Sequence, residues 1–419
     1  MSKLKVGAAK ADITPDKSIL PIPFFLTLEF KEVQDNIHVR VLDIESDERV
    51  LFVTFDTTMI PNPIETLKYI CEVSGLDENH VFMCATHTHC APIVGILDGN
   101  TQTDEKRLAW YTQVKGAIKT AIETAAKNKR PAKVGFGTGK SYVNINRDEE
   151  YDDGTSAIGV NFERASDKTV RLLKFVDMNG TPIAFLTNYA VHATVMNGCI
   201  VNGGIKISGD LAGATSTIVE KTYPDSVCLW TSGAAGDQNP RMGTQYTFDK
   251  NAGLNGVKNL GETGYIILDF LAKEHAHDIV KAIEKTDCKS DDVKVTVQKT
   301  TVKCAGRNPA GAIMFAKLQG IELPPPKDME YVLRLVTIDD TAIQGISAEV
   351  VTSIGKAATE VSTFKNTMLI TQTDSYTGYV PDDWEFDHSA FEAEGATVAK
   401  GAAEPAFVQG FKTLYTNLK

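Results

Sequence analysis

The stretch HVFMCATHTHCAP, residues 80–92, decides how the rest of the chain is read. His80 to Ala85 is a short apolar run that predicts a strand, and the polar cluster Thr86-His87-Thr88-His89 closes it just before Ala91-Pro92. Residues two apart in an extended chain face the same side, so His87 and His89 are placed to reach one site. Two neutral imidazoles on one face form half of a tetrahedral zinc shell; the same pattern alone also describes a hydrogen-bonded strand end. His192, in Asn188-Tyr189-Ala190-Val191-His192, is a third strand-end histidine, and three of them leave room for a carboxylate to complete a catalytic zinc site. Cys84 falls in register with the interior and Cys90 lies beyond the second histidine, so neither is expected to ligate. His38, His80, His275, His277 and His388 sit in contexts that read as solvated or helical.

Working outward, VRVLDI (39–44) and VLFVTFD (50–56) read as a hairpin, followed by a helix at 64–74. Leu108, Tyr111, Val114, Ile118, Ile122 and Ala125 recur every three or four residues and predict an amphipathic helix over 104–127. Strand patterns follow at 132–146 and 169–189, a helix at 211–221 started by Asp210, and a strand at 227–230 feeding the turn Ser232 to Gly236. A long helix is expected at 263–285, with further strands at 292–303 and 330–338. No internal repeat or low-complexity segment is visible, and Pro324-Pro325-Pro326 reads as a surface loop. Helices and strands alternate without a clean βαβ period, which predicts an α/β fold of mixed central sheets covered by helices.

The chain has 419 residues, 42% hydrophobic and 23% charged, with 54 acidic against 43 basic side chains and a net charge of −11. Without a basic track, nucleic acid is excluded as the expected partner. No run reaches the ~18–20 apolar residues of a membrane span, and Met1 to Lys5 leads on without a signal-peptide core, so a cytoplasmic location is expected. The seven cysteines show no C-x-x-C pair and read as reduced thiols. Gly135 to Ser141 imitates a phosphate loop but alternates like a strand, and neither G-x-S-x-G nor H-E-x-x-H occurs. The small residues of Gly233-Ala234-Ala235-Gly236-Asp237-Gln238-Asn239-Pro240 would let backbone approach a ligand, or simply link two elements.

Taken together, VGAAKADITP (6–15), ATHTHCAP (85–92), NINR (144–147), Val191-His192, Ser208-Gly209-Asp210, Gly236-Asp237 and SYTGYV (375–380) resemble the catalytic domain of the neutral (non-lysosomal) ceramidases, in that family's order. The resemblance implies one Zn²⁺ held by His87, His192, Glu349 and Tyr379, with His89 beside the metal and Arg147 gripping a substrate oxygen or carboxylate. It also implies a single large catalytic domain over 1–419 with no room for the family's C-terminal immunoglobulin-like domain; the polar stretch Asp287 to Asp292 reads as a linker and places a subdomain boundary near 286–292. Two positions depart from the pattern. Asn239 stands where the family's G-D-x-S-P places a serine nucleophile, and Phe391 falls where a second tyrosine is expected.

The function expected from these readings is a zinc-dependent hydrolase that cleaves an amide, lactam, lactone or ester of a small polar substrate with metal-activated water. His89 or Asp237 would be the general base, and Asn239 with the glycine-rich turn would hold the developing oxyanion. A metal-dependent lyase or isomerase on a sugar-like substrate, and a non-catalytic protein with a structural or vestigial metal site, are the alternatives.

Overall fold

The computed structural model describes residues 3–24, 28–97, 100–243 and 259–418. One connection occurs three times along the chain. Three strands pair antiparallel in succession, a helix then crosses to a fourth strand parallel to the third, and a longer helix follows. The first quartet is Lys5–Asp12, His38–Glu45, Arg49–Phe55 and Val81–Ala85, with crossover helix Pro63–Ser74 and trailing helix Glu105–Lys127. The second is Arg130–Lys140, Thr169–Asp177, Pro182–Tyr189 and Val227–Ser232, with Asp210–Thr222 and Thr263–Lys285. The third is Val295–Cys304, Met329–Ile338, Thr341–Ile346 and Asn366–Ile370, with Thr352–Glu360 and Ala403–Thr416. In each case the trailing helix packs on the first two strands of its quartet. The mixed α/β architecture expected from sequence is found. The repeat was not legible there because it lies in the connections, which are separated by insertions of different length.

The first two quartets join at Lys5↔Pro131 and Val6↔Arg130 into an eight-stranded sheet, and the third forms a separate four-stranded sheet. One face of all three quartets feeds a common core: Val6, Leu42, Phe52 and Phe82 meet Phe175, Leu186 and Leu229, and these meet Val336, Ile343 and Ile370. The opposite faces pack under helices, as Val41 and Val53 do with Val114 and Ile118, and as Leu333 does with Phe407 and Phe411. Burial on both faces is why the strands read as continuous apolar runs rather than as alternation. Each fully buried large side chain contributes roughly 1.5–3 kcal/mol. Gly7 belongs to this packing, since a β-carbon there would lie 2.0 Å from the Ala125 carbonyl oxygen of the covering helix.

One local reading changes and another is sharpened. In the helix Glu105–Lys127, Leu108 is 43% exposed. Arg107 and Trp110 turn inward instead, because the Trp110 indole donates to the Ile13 carbonyl at 2.6 Å and Arg107 reaches the Pro23 carbonyl at 2.5 Å. His275 is fully buried, accepting from Trp230 Nε1 at 3.2 Å with its Nδ1 3.0 Å from Ser141 Oγ. It is a core histidine held neutral by burial, which pushes it down to about 3.

Arg40, on the second strand of the first quartet, reaches Asp56 at 2.7 Å and Glu220 of the second quartet's crossover helix at 2.9 Å, and all three are buried. Removing the cation leaves Asp56 buried without its guanidinium and Glu220 with Lys10 alone, at 2.6 Å, a cost of about 3–5 kcal/mol. Urea unfolding of Arg40→Met should show a loss of that order, and a loss below ~1 kcal/mol would mean the triad is not a tie between quartets.

Candidate metal centre

The three third strands each deliver a site residue three positions past their last strand residue: Thr58 after Phe55, His192 after Tyr189 and Glu349 after Ile346. The loops after the fourth strands deliver the remainder: His87 and His89, Gln238, and Tyr379. Backbone hydrogen bonds interlock these loops across quartets. Ala85 N–H donates to Gln372 at 3.2 Å, Thr371 N–H to Ser232 at 2.9 Å and His89 N–H to Ala193 at 3.3 Å. Asp210 adds a clamp, its buried carboxylate accepting the N–H groups of Val195 and Met196 just beyond His192.

The histidine pair is brought together by a turn rather than by strand alternation. The strand ends at Ala85, and His87 adopts a left-handed backbone with φ 63, a conformation that a non-glycine residue takes only under tertiary constraint. The ring centroids of His87 lie 4.8 Å from His89 and 4.9 Å from His192. Glu349 and Tyr379 are register partners in a two-stranded parallel ladder, so a 30-residue separation in sequence collapses to adjacency.

Tautomers are fixed from behind. His87 Nδ1–H donates to the Thr58 carbonyl at 2.6 Å and His192 Nδ1–H to the Gln238 carbonyl at 3.1 Å. Both Nε2 lone pairs therefore point forward, where Glu349 Oε2 lies 3.1 Å from each. His89 Nε2 is 3.3 Å from His87 Nε2, and Tyr379 Oη is 3.4 Å from His192 Nε2. Converging lone pairs and a carboxylate repel unless a cation or a proton lies between them. With protons alone, burial lowers His87, but the Glu349 charge and the hydrogen bonds to Glu349 and Thr58 together outweigh it and raise the group. Burial would raise Glu349, but His87 and His192 hold it well below the usual carboxylate range. Burial, then the Arg147 charge, pushes His192 down to about 4, and burial, then His87 and His192, pushes His89 well below its ordinary value. Imidazole nitrogens and a phenol oxygen backed by second hydrogen bonds, together with a buried carboxylate, are a donor set suited to one divalent ion such as Zn²⁺. The neighbouring cavity of about 220 Å³ is walled by His87, His89, Glu349 and Tyr379 together with Met59, Ile93 and Phe391, and His192 lies behind that wall.

Three expected roles change. Arg147 is 2% exposed and its fork is already occupied. Nε donates to Glu392 at 2.6 Å, Nη1 to Asn239 at 3.2 Å and Nη2 to Tyr379 Oη at 3.0 Å. It braces the centre rather than offering itself to a substrate. Asp237 is no general base, because its carboxylate accepts from Thr352 N–H and Oγ1–H at 2.9 and 2.8 Å and from Asn146 Nδ2–H at 2.9 Å. Asn239 sits behind Arg147, outside the cavity wall, so it is not placed as an oxyanion donor. The glycine-rich turn is a link into the strand Gln238–Pro240, and Gly236 packs closely there, since a β-carbon would lie 2.9 Å from Val351 Cγ1 and 3.0 Å from Val351 N. Sequence reasoning missed the carbonyls of Thr58 and Gln238, which carry no side-chain signal. It also missed Glu392, whose only trace was an acidic residue beside the expected tyrosine position.

The fold and this donor centre together define a mixed α/β protein with a loop-built candidate metal site. The family profile described as neutral/alkaline non-lysosomal ceramidase, N-terminal, matches residues 5–311, and the chain belongs to that family. It is 32% identical over 237 residues to neutral ceramidase B of Dictyostelium discoideum, a match covering 52% of this chain and 32% of that protein. It is 26% identical over 236 residues to the neutral ceramidase of Pseudomonas aeruginosa, covering 51% and 33%. The matched region thus spans about a third of these relatives. The crystal structure of the P. aeruginosa protein superposes with a TM-score of 0.73 over 99% of this chain and 74% of that one, at 17% identity, which shows the shared fold.

Burial, opposed by the Thr352 hydrogen bonds, raises Asp237 to about 6. A carboxyl raised above its unfolded value adds stability that is complete below about pH 4 and is lost as pH rises through 6. The stability of the wild type relative to Asp237→Asn should therefore fall by roughly 2–3 kcal/mol between pH 4 and 7. Denaturant titrations across that range check it, and a gap that widens with pH would contradict the assignment.

Proposed function

We propose that this protein is a metal-dependent hydrolase, using one Zn²⁺ held by His87, His192, Glu349 and Tyr379, that cleaves an amide or ester bond. The observation that carries the reading is the convergence of two forward-facing Nε2 lone pairs on Glu349 Oε2, beside a cavity that His87 and Glu349 line. When bound, the ion would polarise the scissile carbonyl and make water in the site a better nucleophile.

The chain's own groups divide the remaining work. His87 and His192 are locked as Nδ1–H tautomers by the carbonyls of Thr58 and Gln238, so each keeps Nε2 for the centre. His89, held neutral by burial beside two other imidazoles, is the group positioned to take a proton from the attacking water at Nε2 and return it to the leaving atom. Hydrolysis then adds the water's hydroxyl to the acyl carbon and its proton to the leaving nitrogen or oxygen. Asn239 has no nucleophilic oxygen to form an acyl intermediate, which leaves water as the attacking species. The walls refine the expected small polar substrate. Met59, Ile93 and Phe391 favour a short apolar group next to the polar bond, and about 220 Å³ suits a substrate of modest size.

Metal analysis of purified protein should find about one Zn²⁺ per chain, falling below a tenth of that in His87→Ala and in His192→Ala. Unchanged metal content in both variants would sink the site. Turnover of short N-acyl amides and esters in H₂¹⁸O should place solvent oxygen in the acid product, and product without it would refute hydrolysis.

A further inference from the structure

We infer that Glu392 is a positioning residue for the metal centre, holding Arg147 so that its guanidinium stays on the Tyr379 hydroxyl. The inference rests on the reading of Tyr379 as a metal ligand and extends it to a group that touches neither metal nor substrate.

Glu392 Oε1 receives both Nε and Nη2 of Arg147 at 2.6 Å, and the two side chains are 0% and 2% exposed. A guanidinium gripped through Nε and one Nη has its remaining edge fixed in direction, because the group is planar. That edge donates to Tyr379 Oη at 3.0 Å and to Asn239 Oδ1 at 3.2 Å. Without the carboxylate, Arg147 would be a buried charge with only neutral oxygens left to it in this contact set. It would rotate toward another acid or draw in water, and the phenol would lose its orienting donor.

The surroundings of Glu392 support this assignment. Its second oxygen has no hydrogen-bond partner, and its carboxyl lies within 4.8 Å of the buried carboxyls of Asp148 and Glu385, each of which also keeps one oxygen without a hydrogen-bond partner. Burial, then the charges of Glu392 and Asp237, pushes Asp148 up to about 9. Burial, then Glu392 and Asp148, pushes Glu385 well above its ordinary value. Glu392 is the carboxyl of this group bonded to Arg147. Arg164, 3.5 Å from Asp148 and stacked 3.6 Å over Trp384, supplies a second cation at the edge of the cluster.

Zn²⁺ affinity measured by competition with a chromophoric chelator, on the full chain with folding monitored by circular dichroism, tests the assignment through a double-mutant cycle. Tyr379→Phe should weaken Zn²⁺ binding by about 10–100-fold and Glu392→Ala by a comparable factor. The double variant should be no weaker than Tyr379→Phe alone, since Glu392 acts through that phenol. Glu392→Gln, which keeps an acceptor oxygen, should restore part of the loss. Losses that multiply, or a Glu392→Ala protein within about twofold of wild type, overturn the assignment. If Glu392→Ala does not fold, Glu392→Gln enters the same cycle, and multiplying losses or unchanged affinity there overturn it equally. Unchanged affinity in Tyr379→Phe alone instead refutes Tyr379 as a ligand, and the role of Glu392 falls with it.

Discussion

Glu349 Oε2 lies 3.1 Å from the Nε2 atoms of two histidines whose other nitrogens are tied to backbone carbonyls, and the rest of the structure has to satisfy that convergence. His87, His192 and Glu349 come from three different quartets of strands. Each quartet alone could present at most part of the set. The shared core among the quartets and the hydrogen bonds between their loops bring the ends to a few ångströms of one another. Rigid strands set the loops, and short cross-quartet backbone bonds remove the residual freedom that would blur the donor geometry.

The threefold connection also explains why the site draws on residues spread from Thr58 to Glu392. A parallel pair joined by a crossover helix places both carboxyl ends on the same side, which is where α/β proteins collect ligand-binding loops. Here three such pairs deliver third-strand residues at the same offset, and the fourth-strand loops diversify. One carries the His87 and His89 turn, one the small residues that let Gln238 reach His192, and one the strand that pairs Tyr379 with Glu349. The repeated part is scaffold, and the variable part is chemistry.

Much of this was legible in the sequence, for identifiable reasons. Strand-end histidines announced themselves because polar residues closing an apolar run are conspicuous, and the long helices at 105–127 and 263–285 followed from their periodicity. The resemblance pointed to Glu349 and Tyr379, which no local pattern would have joined across 30 residues. What could not be read was partnership. Arg147 and Asp237 look like chemical residues in a one-dimensional list. Their saturation by Glu392, Thr352 and Asn146 exists only after folding, and it turns a presumed substrate anchor and a presumed base into supports. Leu108 was misplaced for the same reason, since the first helical turn follows the hydrogen bonds of Trp110 and Arg107 rather than the apolar period.

The departure at position 239 can be understood from the same network. Asn239 Oδ1 accepts from Arg147 Nη1, and its neighbour Gln238 orients His192 through a backbone carbonyl. The segment that carries a serine in the family pattern is here committed to holding Arg147 and His192 in place. A residue cannot both be saturated by a buried guanidinium and present a free oxygen to an acyl carbon. Changing Asn239 to serine would therefore not by itself restore a nucleophile: the shorter side chain would withdraw an acceptor from Arg147 before it reached the cavity wall. In this chain the segment Gln238–Pro240 serves the bracing of the candidate centre through Arg147 and His192.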